Sequence, residues 1–454
     1  MRRLSFLRLR STRARIGAAA ALVVVVAAGV GIYLYERHRT GSIYHPDARF
    51  VPEKAASKTP PPPKEATFVW PFYGYTPDHH RYLAAPASVK PPFRRVWESH
   101  ETALLEFPPV MSHERIYQLA DDGTLSAIDR KTGRLVWRKQ LGALSASTPA
   151  IVGNTLYVTI LARPGDGEGG LVAALNATSG RVIWSRDLPS RSESSPIVAN
   201  GKVMFGSEDG TVYALNAQSG QTIWTYRAAG AVKASPTLVN GVLYFGDYAG
   251  DVQAISERTG RRIWSAGSEG APLGSGTFYS TAAYAYGRIY LGNTDGRIYA
   301  YDANSGELAW AVQTGAYVYA SPSVAEVQGL GPTIFEGSYD GNFYALNARS
   351  GRIDWTYPAG GKISGSSTIV GKVVYFADLG THSTTGLNTT TGRKVFSIVQ
   401  GAFDPVISDG HTIYLSGYNT LFAFEPTDEH GSAAGDPTGK AERPKGARKT
   451  KSTH

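Results

Sequence analysis

One nine-residue unit recurs seven times along the chain and constrains its fold more than any other feature. Each copy opens with Asn, Asp or Ser, continues through Ser-Gly or Thr-Gly, and ends in an aromatic residue. The final residues are Trp137, Trp184, Trp224, Trp264, Trp310, Trp355 and Phe396, and a shorter copy ends at Trp97. Successive aromatic residues lie 40 to 47 residues apart. Periods of this size are typical of propellers and solenoids.

Each copy predicts a tight turn followed by a strand. The first residue bonds its own backbone, and Gly supplies the positive φ that such a turn requires. The aromatic residue four positions later can fill the wedge between neighbouring sheets. The period that ends at Trp224 contains four short runs with strand-like alternation, bounded by turn residues. Four strands per period predict an all-β fold, an eight-bladed β-propeller with four-stranded blades.

The two ends of the repeat region predict how the ring closes. The last period stops near Glu425 without its aromatic strand, and Phe93–Trp97 supplies a strand of that kind far upstream. An eighth blade built from both ends of the domain removes open sheet edges. We therefore expect one propeller domain over residues 66–426, whose last blade is closed by residues 93–97.

The N-terminus predicts a membrane anchor. Ile16–Tyr35 is an uncharged run of 20 residues, long enough for a helix to cross a bilayer, and six arginines precede it. Basic flanks stay in the cytoplasm, so residues 1–15 are expected inside and the propeller outside, on a single-pass protein of the cytoplasmic membrane. A cleaved signal peptide is the alternative, but its apolar region is usually shorter and ends at small residues.

Composition predicts the segments that flank the propeller. Residues 36–65 include the run Pro60–Pro63 and are expected to form an extended spacer. Residues 427–454 are polar, Gly-rich and basic, and are expected to form a disordered tail.

Charge and cysteine content exclude several functions. The formal net charge is +9, but the segments outside residues 66–426 carry +10, which leaves −1 on the propeller. A nucleic-acid channel needs basic residues gathered on one face, so nucleic acid is not an expected partner. The chain has no Cys, which excludes disulfides, cysteine-ligated metals and thiol catalysis.

The pattern A-x-[ND]-x-x-[ST]-G-x-x-x-W, as in Ala214–Trp224 and Ala345–Trp355, resembles the repeat of the pyrroloquinoline quinone (PQQ)-like propeller superfamily. The resemblance covers residues 93–425. Trp70–Tyr82 is similar to the segment that precedes the first blade in quinoprotein dehydrogenases and their non-enzymatic relatives. The superfamily includes PQQ-dependent dehydrogenases and non-enzymatic scaffolds such as the BamB lipoprotein.

For a dehydrogenase the resemblance implies a quinone at the ring axis, a Ca²⁺ ion held by carboxylate and amide oxygens, and an Asp acting as base. No such set aligns with residues of this chain, and its short loops leave little room to enclose a cofactor and a substrate. The chain is therefore closest in character to the BamB-like members. We expect no catalytic residues, no metal site and no cofactor, with PQQ and Ca²⁺ required only under the dehydrogenase alternative.

The loops that enter each blade predict a ring of residues around the channel mouth. Aligned three positions before the residue that opens each blade, they are Glu106, Ala146, Glu193, Lys233, Phe278, Tyr319, Ser364 and Ala402. Two carboxylates, one amine and two aromatic rings can hold a peptide or a small polar ligand. The exposed Tyr317 and Tyr339 would suit a protein interface.

Acidic residues at the turns between the second and third strands have a simpler explanation. Asp122, Asp209, Asp295 and Asp340 precede Gly at regular positions, which is hairpin-turn chemistry. Asp247 and Asp378 depart from this register and are kept as candidate ligands. His79 and His80 are expected on the surface rather than at a metal.

These observations favour an extracytoplasmic binding or scaffold propeller that acts on envelope proteins or polymers. A PQQ- and Ca²⁺-dependent dehydrogenase is one alternative, and a sensor of small ligands is another.

Overall fold

The computed structural model describes residues 41–52, 69–163, 165, 169–269, 276–401, 403 and 406–427. The sheets among them are the eight blades of a propeller, and each blade is built on four antiparallel strands. We call these strands A to D from the channel outward. Strands A of successive blades contact one another around the axis. The prediction of an all-β, eight-bladed propeller with four-stranded blades is confirmed.

The first four blades follow one another in the chain, and each supplies its strands in the order A to D. Blade 1 contains Val110–Met111, Arg115–Leu119, Thr124–Asp129 and Leu135–Gln140. Blade 2 contains Ala150–Val152, Thr155–Ile160, Leu171–Asn176 and Val182–Asp187. Blade 3 contains Ile197–Ala199, Lys202–Phe205, Thr211–Asn216 and Thr222–Arg227. Blade 4 contains Thr237–Val239, Val242–Gly246, Asp251–Ser256 and Arg262–Gly267.

The remaining blades include three additions from the N-terminal part of the chain. Blade 5 contains Ala283–Ala285, Arg288–Gly292, Arg297–Asp302 and Leu308–Gln313, with Ile43–Tyr44 as an outer fifth strand. Blade 6 contains Ser323–Val327, Gly331–Gly337, Asn342–Asn347 and Ile353–Pro358. Blade 7 contains Thr368–Val370, Val373–Asp378, Ser383–Asn388 and Lys394–Ile398, with Tyr82–Leu83 on its inner side. Blade 8 contains Val406–Ser408, Ile413–Ser416, Thr420–Pro426 and Phe93–His100.

The repeated aromatic residue and the repeated glycine form one contact between blades. The Trp184 Nε1 of blade 2 donates to Ala217 O of blade 3 at 3.0 Å, and its ring lies over Gly220. Gly220 has a φ of +71°, and a Cβ there would come within 2.7 Å of the ring. The turn therefore needs glycine both for its backbone conformation and for the approach of the tryptophan.

The ring closes as the sequence predicts. Phe93–His100 pairs antiparallel with Thr420–Pro426 and becomes strand D of blade 8. Trp97 Nε1 then donates to Arg130 O of blade 1 at 3.0 Å, in the same way as the other repeat tryptophans. This pairing leaves no blade without its outer strand.

The spacer expected over residues 36–65 needs a correction for residues 41–52, which pack along blade 5. Ile43 and Tyr44 pair with Ala311 and Trp310 on its strand D. That strand carries small, buried residues at Ala309 and Ala311, whereas Ile223 is exposed at the position in blade 3 that matches Ala309. The small side chains leave room for a further strand.

Several expectations for the termini lie outside the described residues. These are the apolar run Ile16–Tyr35, the prolines Pro60–Pro63 and the tail from residue 428 onward. Within the part of the chain that the structure describes, no helix is long and apolar enough to cross a membrane.

Candidate functional site

The segment Trp70–Leu83, which we call the channel segment, closes one end of the axis. Backbone N–H groups on strands A donate to its carbonyl oxygens at 2.8 to 2.9 Å. The donors are Ile151, Leu238, Tyr284, Val324 and Ile369, from blades 2, 4, 5, 6 and 7. Trp70 forms an antiparallel bridge with Met111 of blade 1. One short stretch of chain thus connects six blades.

The path of the channel segment departs from regular structure. Tyr75, His79 and Arg81 have φ values of 78°, 52° and 53°, in the left-handed region that non-glycine residues rarely adopt. Each such residue costs about 1 kcal/mol or more and persists only where its surroundings hold it. Here the hydrogen bonds to strands A hold these residues in the left-handed conformation.

His79 is fully buried, which corrects the expectation that it lies on the surface. Its Nε2 lies 3.2 Å from Pro236 O. Burial lowers the pKa of His79 to about 3, and the nearby Arg81 guanidinium lowers it further, so the ring is neutral. His80 is partly exposed, and its Nδ1 lies 2.6 Å from Asp78 Oδ1.

A buried cation and a buried carboxyl group share the closed end. Arg81 Nη1 donates to His79 O at 2.9 Å and to Pro322 O at 3.1 Å, and its guanidinium lies over the Tyr73 ring. Glu336, on strand B of blade 6, is fully buried, and both its oxygens lack a hydrogen-bond partner among the described residues. Burial raises the pKa of Glu336 well above its usual range, and the Arg81 charge opposes this only in part.

A shallow cavity of about 40 Å³ lies beside the channel segment, at the mouth where strands A begin. Tyr73 of the channel segment lines it, and the Tyr73 hydroxyl bonds Ser366 Oγ at 2.5 Å. The rest of the lining comes from the loops that enter the blades: Glu106, Phe107, Glu193, Ser195, Lys233, Ala234, Ser235, Tyr279, Thr281, Tyr319, Ser321, Ser364, Gly365, Ser366 and Phe403. A cavity of this size has room for a few water molecules.

Hydroxyl groups at the starts of strands A connect neighbouring blades around this cavity. The backbone N–H of Ser235 donates to Thr281 Oγ1 at 3.0 Å, and the Thr281 N–H donates to Ser321 Oγ at 2.9 Å. The Ser321 N–H continues the series to Ser366 Oγ at 3.3 Å. Sequence reasoning missed this ring, although Ser or Thr directly before Pro recurs where blades begin, as at Ser235 and Ser321.

A charged trio occupies one side of the mouth. Lys233 Nζ donates to Glu193 Oε1 at 2.6 Å and bonds Glu208 Oε1 at 2.8 Å. Burial raises the pKa of Glu193, and the hydrogen bond from Lys233 offsets this only in part. Burial lowers the pKa of Lys233, but its hydrogen bonds to Glu193 and Glu208 outweigh that effect and leave the pKa raised. With all three groups charged, the trio carries a net charge of −1.

Aromatic rings form the adjoining wall, which we call the tyrosine arc; its members are Tyr248, Tyr279, Tyr317, Tyr319 and Tyr339. Tyr319 lies at its centre, with ring centroids 5.8 Å from Tyr279, 6.0 Å from Tyr317 and 4.8 Å from Tyr339. Tyr317 is 53% exposed. The arc crosses blades 4, 5 and 6 and presents aromatic surface to solvent.

The predicted ring of mouth residues is placed as follows. Glu106, Glu193, Lys233, Tyr319 and Ser364 line the cavity. Phe278 instead is fully buried, and its neighbour Tyr279 lines the cavity, so the alignment at this blade is off by one residue. The correction has a physical reason: blade 5 lacks the proline that marks this position in blades 4 and 6. Thr281 matches Ser235 and Ser321 in the series of hydroxyl groups, so Ala282 takes the place of the proline and Tyr279 lies three residues before it. Ala146 is buried outside the lining, and Ala402 lies outside the described residues.

Asp247 and Asp378 lie in turns between strands B and C. Asp247 Oδ1 accepts from the Ala249 N–H at 2.9 Å, and its Oδ2 accepts from Gln253 Nε2 at 2.7 Å. Asp378 Oδ1 accepts from the Thr381 N–H at 2.7 Å, and its Oδ2 accepts from Thr381 Oγ1. Both side chains are buried and stabilise their own turns, and neither lines the cavity.

The residues at the mouth do not fit a PQQ and Ca²⁺ centre. Pockets for ligands of that size measure about 300 to 1,000 Å³, far more than this cavity offers. Among the described residues, no group of three or more His, Asp or Glu side chains is placed to hold a metal ion.

Comparisons with known proteins agree with this architecture. The family profile described as outer membrane protein assembly factor BamB matches residues 93–167, 121–272 and 248–429. No curated protein matches the sequence.

Solved structures share the fold at low sequence identity. BamB from Moraxella catarrhalis is 17% identical, with a TM-score of 0.61 over 74% of this chain and 100% of that chain. A europium-containing methanol dehydrogenase is 12% identical, with a TM-score of 0.65 over 80% of this chain and 98% of that chain. The quinohemoprotein alcohol dehydrogenase from Comamonas testosteroni is 14% identical, with a TM-score of 0.64 over 86% of this chain and 84% of that chain. At these identities the likeness establishes the fold alone.

Proposed function

The chain belongs to the family of the outer membrane protein assembly factor BamB, and from this premise we propose that it is a non-catalytic binding propeller of the cell envelope. It is anchored in the cytoplasmic membrane, displays the propeller outside the cytoplasm, and docks an envelope protein or polymer on its mouth.

The closed channel carries this proposal. The chain's own channel segment fills the axis, and the cavity that remains at the mouth holds about 40 Å³. Such a site offers a surface to a partner instead of enclosing a substrate. The tyrosine arc supplies large aromatic side chains that lose little conformational entropy on binding, and such residues dominate many protein interfaces.

The charges at the mouth favour a basic group on the partner. The trio of Lys233, Glu193 and Glu208 carries a net negative charge beside the tyrosine rings. A guanidinium or ammonium group is attracted both to carboxylates and to aromatic faces. A partner protein that inserts an Arg or Lys side chain would meet both.

Site-specific photo-cross-linking tests the proposal in living cells. A photoreactive phenylalanine analogue at Tyr319 is expected to give a discrete cross-linked product with an envelope component. The same analogue at Ile223, exposed on the outer strand of blade 3, is the matched control and is expected to give none. Equal patterns at the two positions would contradict docking at the mouth.

Quinone addition separates this proposal from the dehydrogenase alternative. Purified full-length protein is expected to unfold at the same temperature with and without PQQ plus Ca²⁺. Binding at 100 times the dissociation constant would stabilise the fold by about 2.7 kcal/mol and raise the midpoint. A rise accompanied by dye-linked oxidation of an alcohol would overturn the proposal.

A further inference from the structure

Residues 41–52, which we call the strap, form an ordered interface with blade 5. The Gln313 N–H donates to Ser42 Oγ at 3.0 Å, and the His45 N–H donates to Ala309 O at 2.9 Å. Between them, Ile43 pairs with Ala311 on strand D and packs against the buried cluster that includes Trp264. The first half of the strap is therefore a strand of the blade.

The second half of the strap is fixed by a buried arginine and an aromatic stack. Arg288 donates to Ala48 O and to Arg49 O, both at 2.8 Å, and is 1% exposed. Phe50 stacks on Tyr286 with ring centroids 5.3 Å apart. A buried arginine with carbonyl acceptors is costly to disrupt, so these contacts hold the strap in place.

The direction of the strap sets where the chain arrives at the propeller. The strap runs antiparallel to strand D of blade 5, so Ser42 lies beside Gln313 at the end of that strand. Gln313 leads directly into the loop that carries Tyr317 and Tyr319 of the tyrosine arc. A chain that comes from the N-terminus therefore reaches the propeller at the mouth side of blade 5.

The length of chain before the strap limits how far this rim can lie from a membrane. Six residues lie between Tyr35, the last of the apolar run, and Ser42, so seven residue steps join the two. Fully extended, they span at most about 25 Å. Without the strap, the tether would run from Tyr35 to Trp70 and would span up to about 120 Å.

We infer that the strap holds the mouth-side rim of blade 5 within about 25 Å of the membrane, so that the tyrosine arc faces partners held in or close to that membrane. The inference rests on the proposed membrane anchor. Blade 1 lies four blades around the ring from blade 5, so the short tether does not hold its rim close to the membrane.

Energy transfer from single labels to the membrane tests the orientation. The chain has no Cys, so Ala316→Cys and Ala143→Cys each create one labelling site. Both alanines follow Gln-x-Gly at the end of strand D, in blade 5 and blade 1 respectively. Full-length protein is reconstituted in phosphatidylcholine vesicles that contain an acceptor-labelled lipid. Transfer is expected to be about twofold or more higher from position 316, because the strap keeps that label within the short tether's reach.

A strap-release variant provides the matched comparison. Ile43→Asp combined with Phe50→Ala removes the strand packing and the aromatic stack. The two transfer efficiencies are then expected to converge, because the longer tether lets the propeller turn freely. Far-ultraviolet circular dichroism and a single cooperative unfolding transition above the assay temperature confirm that the blades of the variant are folded.

Three results would overturn the inference, and they separate failure of the orientation, of the strap's role and of the membrane anchor. Equal transfer from the two sites with the strap intact would contradict the orientation while leaving the anchor in place. A difference that survives strap release would show that something other than the strap sets the orientation. Complete loss of the protein from vesicles after an alkaline wash would remove the anchor itself.

Discussion

The closed part of the channel around the channel segment and the mouth beside it lie against the same ring of strands A and differ in what their side chains do. At the closed end, Arg81 and Glu336 are fully buried, and the channel segment bonds to six blades. At the mouth, Lys233 is partly buried in a charged trio and Tyr317 is half exposed. The comparison indicates that buried polar contacts are concentrated around the channel segment, whereas the mouth carries the exposed groups to which we assign binding.

The largest expected effect is at the closed end. Arg81→Ala leaves the buried carbonyl oxygens of His79 and Pro322 without their donor, and this should lower the free energy of unfolding by about 3 kcal/mol. Urea denaturation measures the change. Arg94→Ala is the control, because Arg94 forms an exposed ion pair with Glu425 whose loss costs about 1 kcal/mol or less. Similar losses in the two variants would contradict the special role of the closed end.

Glu336 gives the closed end a pH dependence of known sign. Burial raises its pKa in the folded protein above the usual 4.5, so the protonated form is favoured on folding. Its contribution to stability is therefore complete below about pH 4.5 and is lost as the pH rises through the folded-state pKa. Glu336→Gln should remove this loss, and the free energies of unfolding of the variant and the native protein should diverge with pH by up to about 1.4 kcal/mol per unit.

The divergence is measured by urea denaturation at a series of pH values from 5 to 8. Glu307→Gln, in an exposed turn of blade 5, controls for the loss of one negative charge. Parallel curves for the native protein and Glu336→Gln would show that Glu336 does not titrate as its burial implies.

The hydroxyl groups at the starts of strands A should make an intermediate contribution to the free energy of unfolding. Ser321→Ala removes the acceptor of the buried Thr281 N–H, at a cost of about 1 to 2 kcal/mol. Ser219→Ala, in the exposed outer turn of blade 3, is expected to stay within about 0.5 kcal/mol of the native protein. Thermal unfolding compares the two, and a smaller loss at Ser321 than at Ser219 would rule out the hydroxyl ring as a stabilising element.

The blades were predictable from the sequence because their signals are local and repeated. A turn glycine and an aromatic residue four positions later, such as Gly220 and Trp224, fix the hairpin and the wedge in every period. Closure by Phe93–Trp97 followed from a missing strand at the other end, and the structure confirms it.

The closed end and the strap were not predictable, because their sequences carry no local or repeated signal. The channel segment has no periodicity, because each of its carbonyls bonds a different blade, so its burial of His79 and Arg81 leaves no local pattern. Residues 41–52 of the expected spacer pack on blade 5, where Ala309 and Ala311 make room, and this signal is visible only when the blades are compared with one another. At the mouth, the prediction of Phe278 was wrong because Ala282 replaces the proline that marks the alignment in blades 4 and 6.

The smallest stability effect is expected at the mouth, where the comparison predicts a loss of binding instead. Tyr317 is 53% exposed and contacts one ring of the tyrosine arc, so Tyr317→Ala should change the free energy of unfolding by less than about 0.5 kcal/mol. The same variant should reduce the yield of the cross-link from position 319 by about tenfold, because an interface tyrosine that contributes 1.4 kcal/mol to binding changes affinity by that factor. Tyr418→Ala is the matched control, since Tyr418 is 60% exposed in blade 8 and lies outside the arc. A cross-link that survives Tyr317→Ala and falls with Tyr418→Ala would move the binding surface from the tyrosine arc to blade 8.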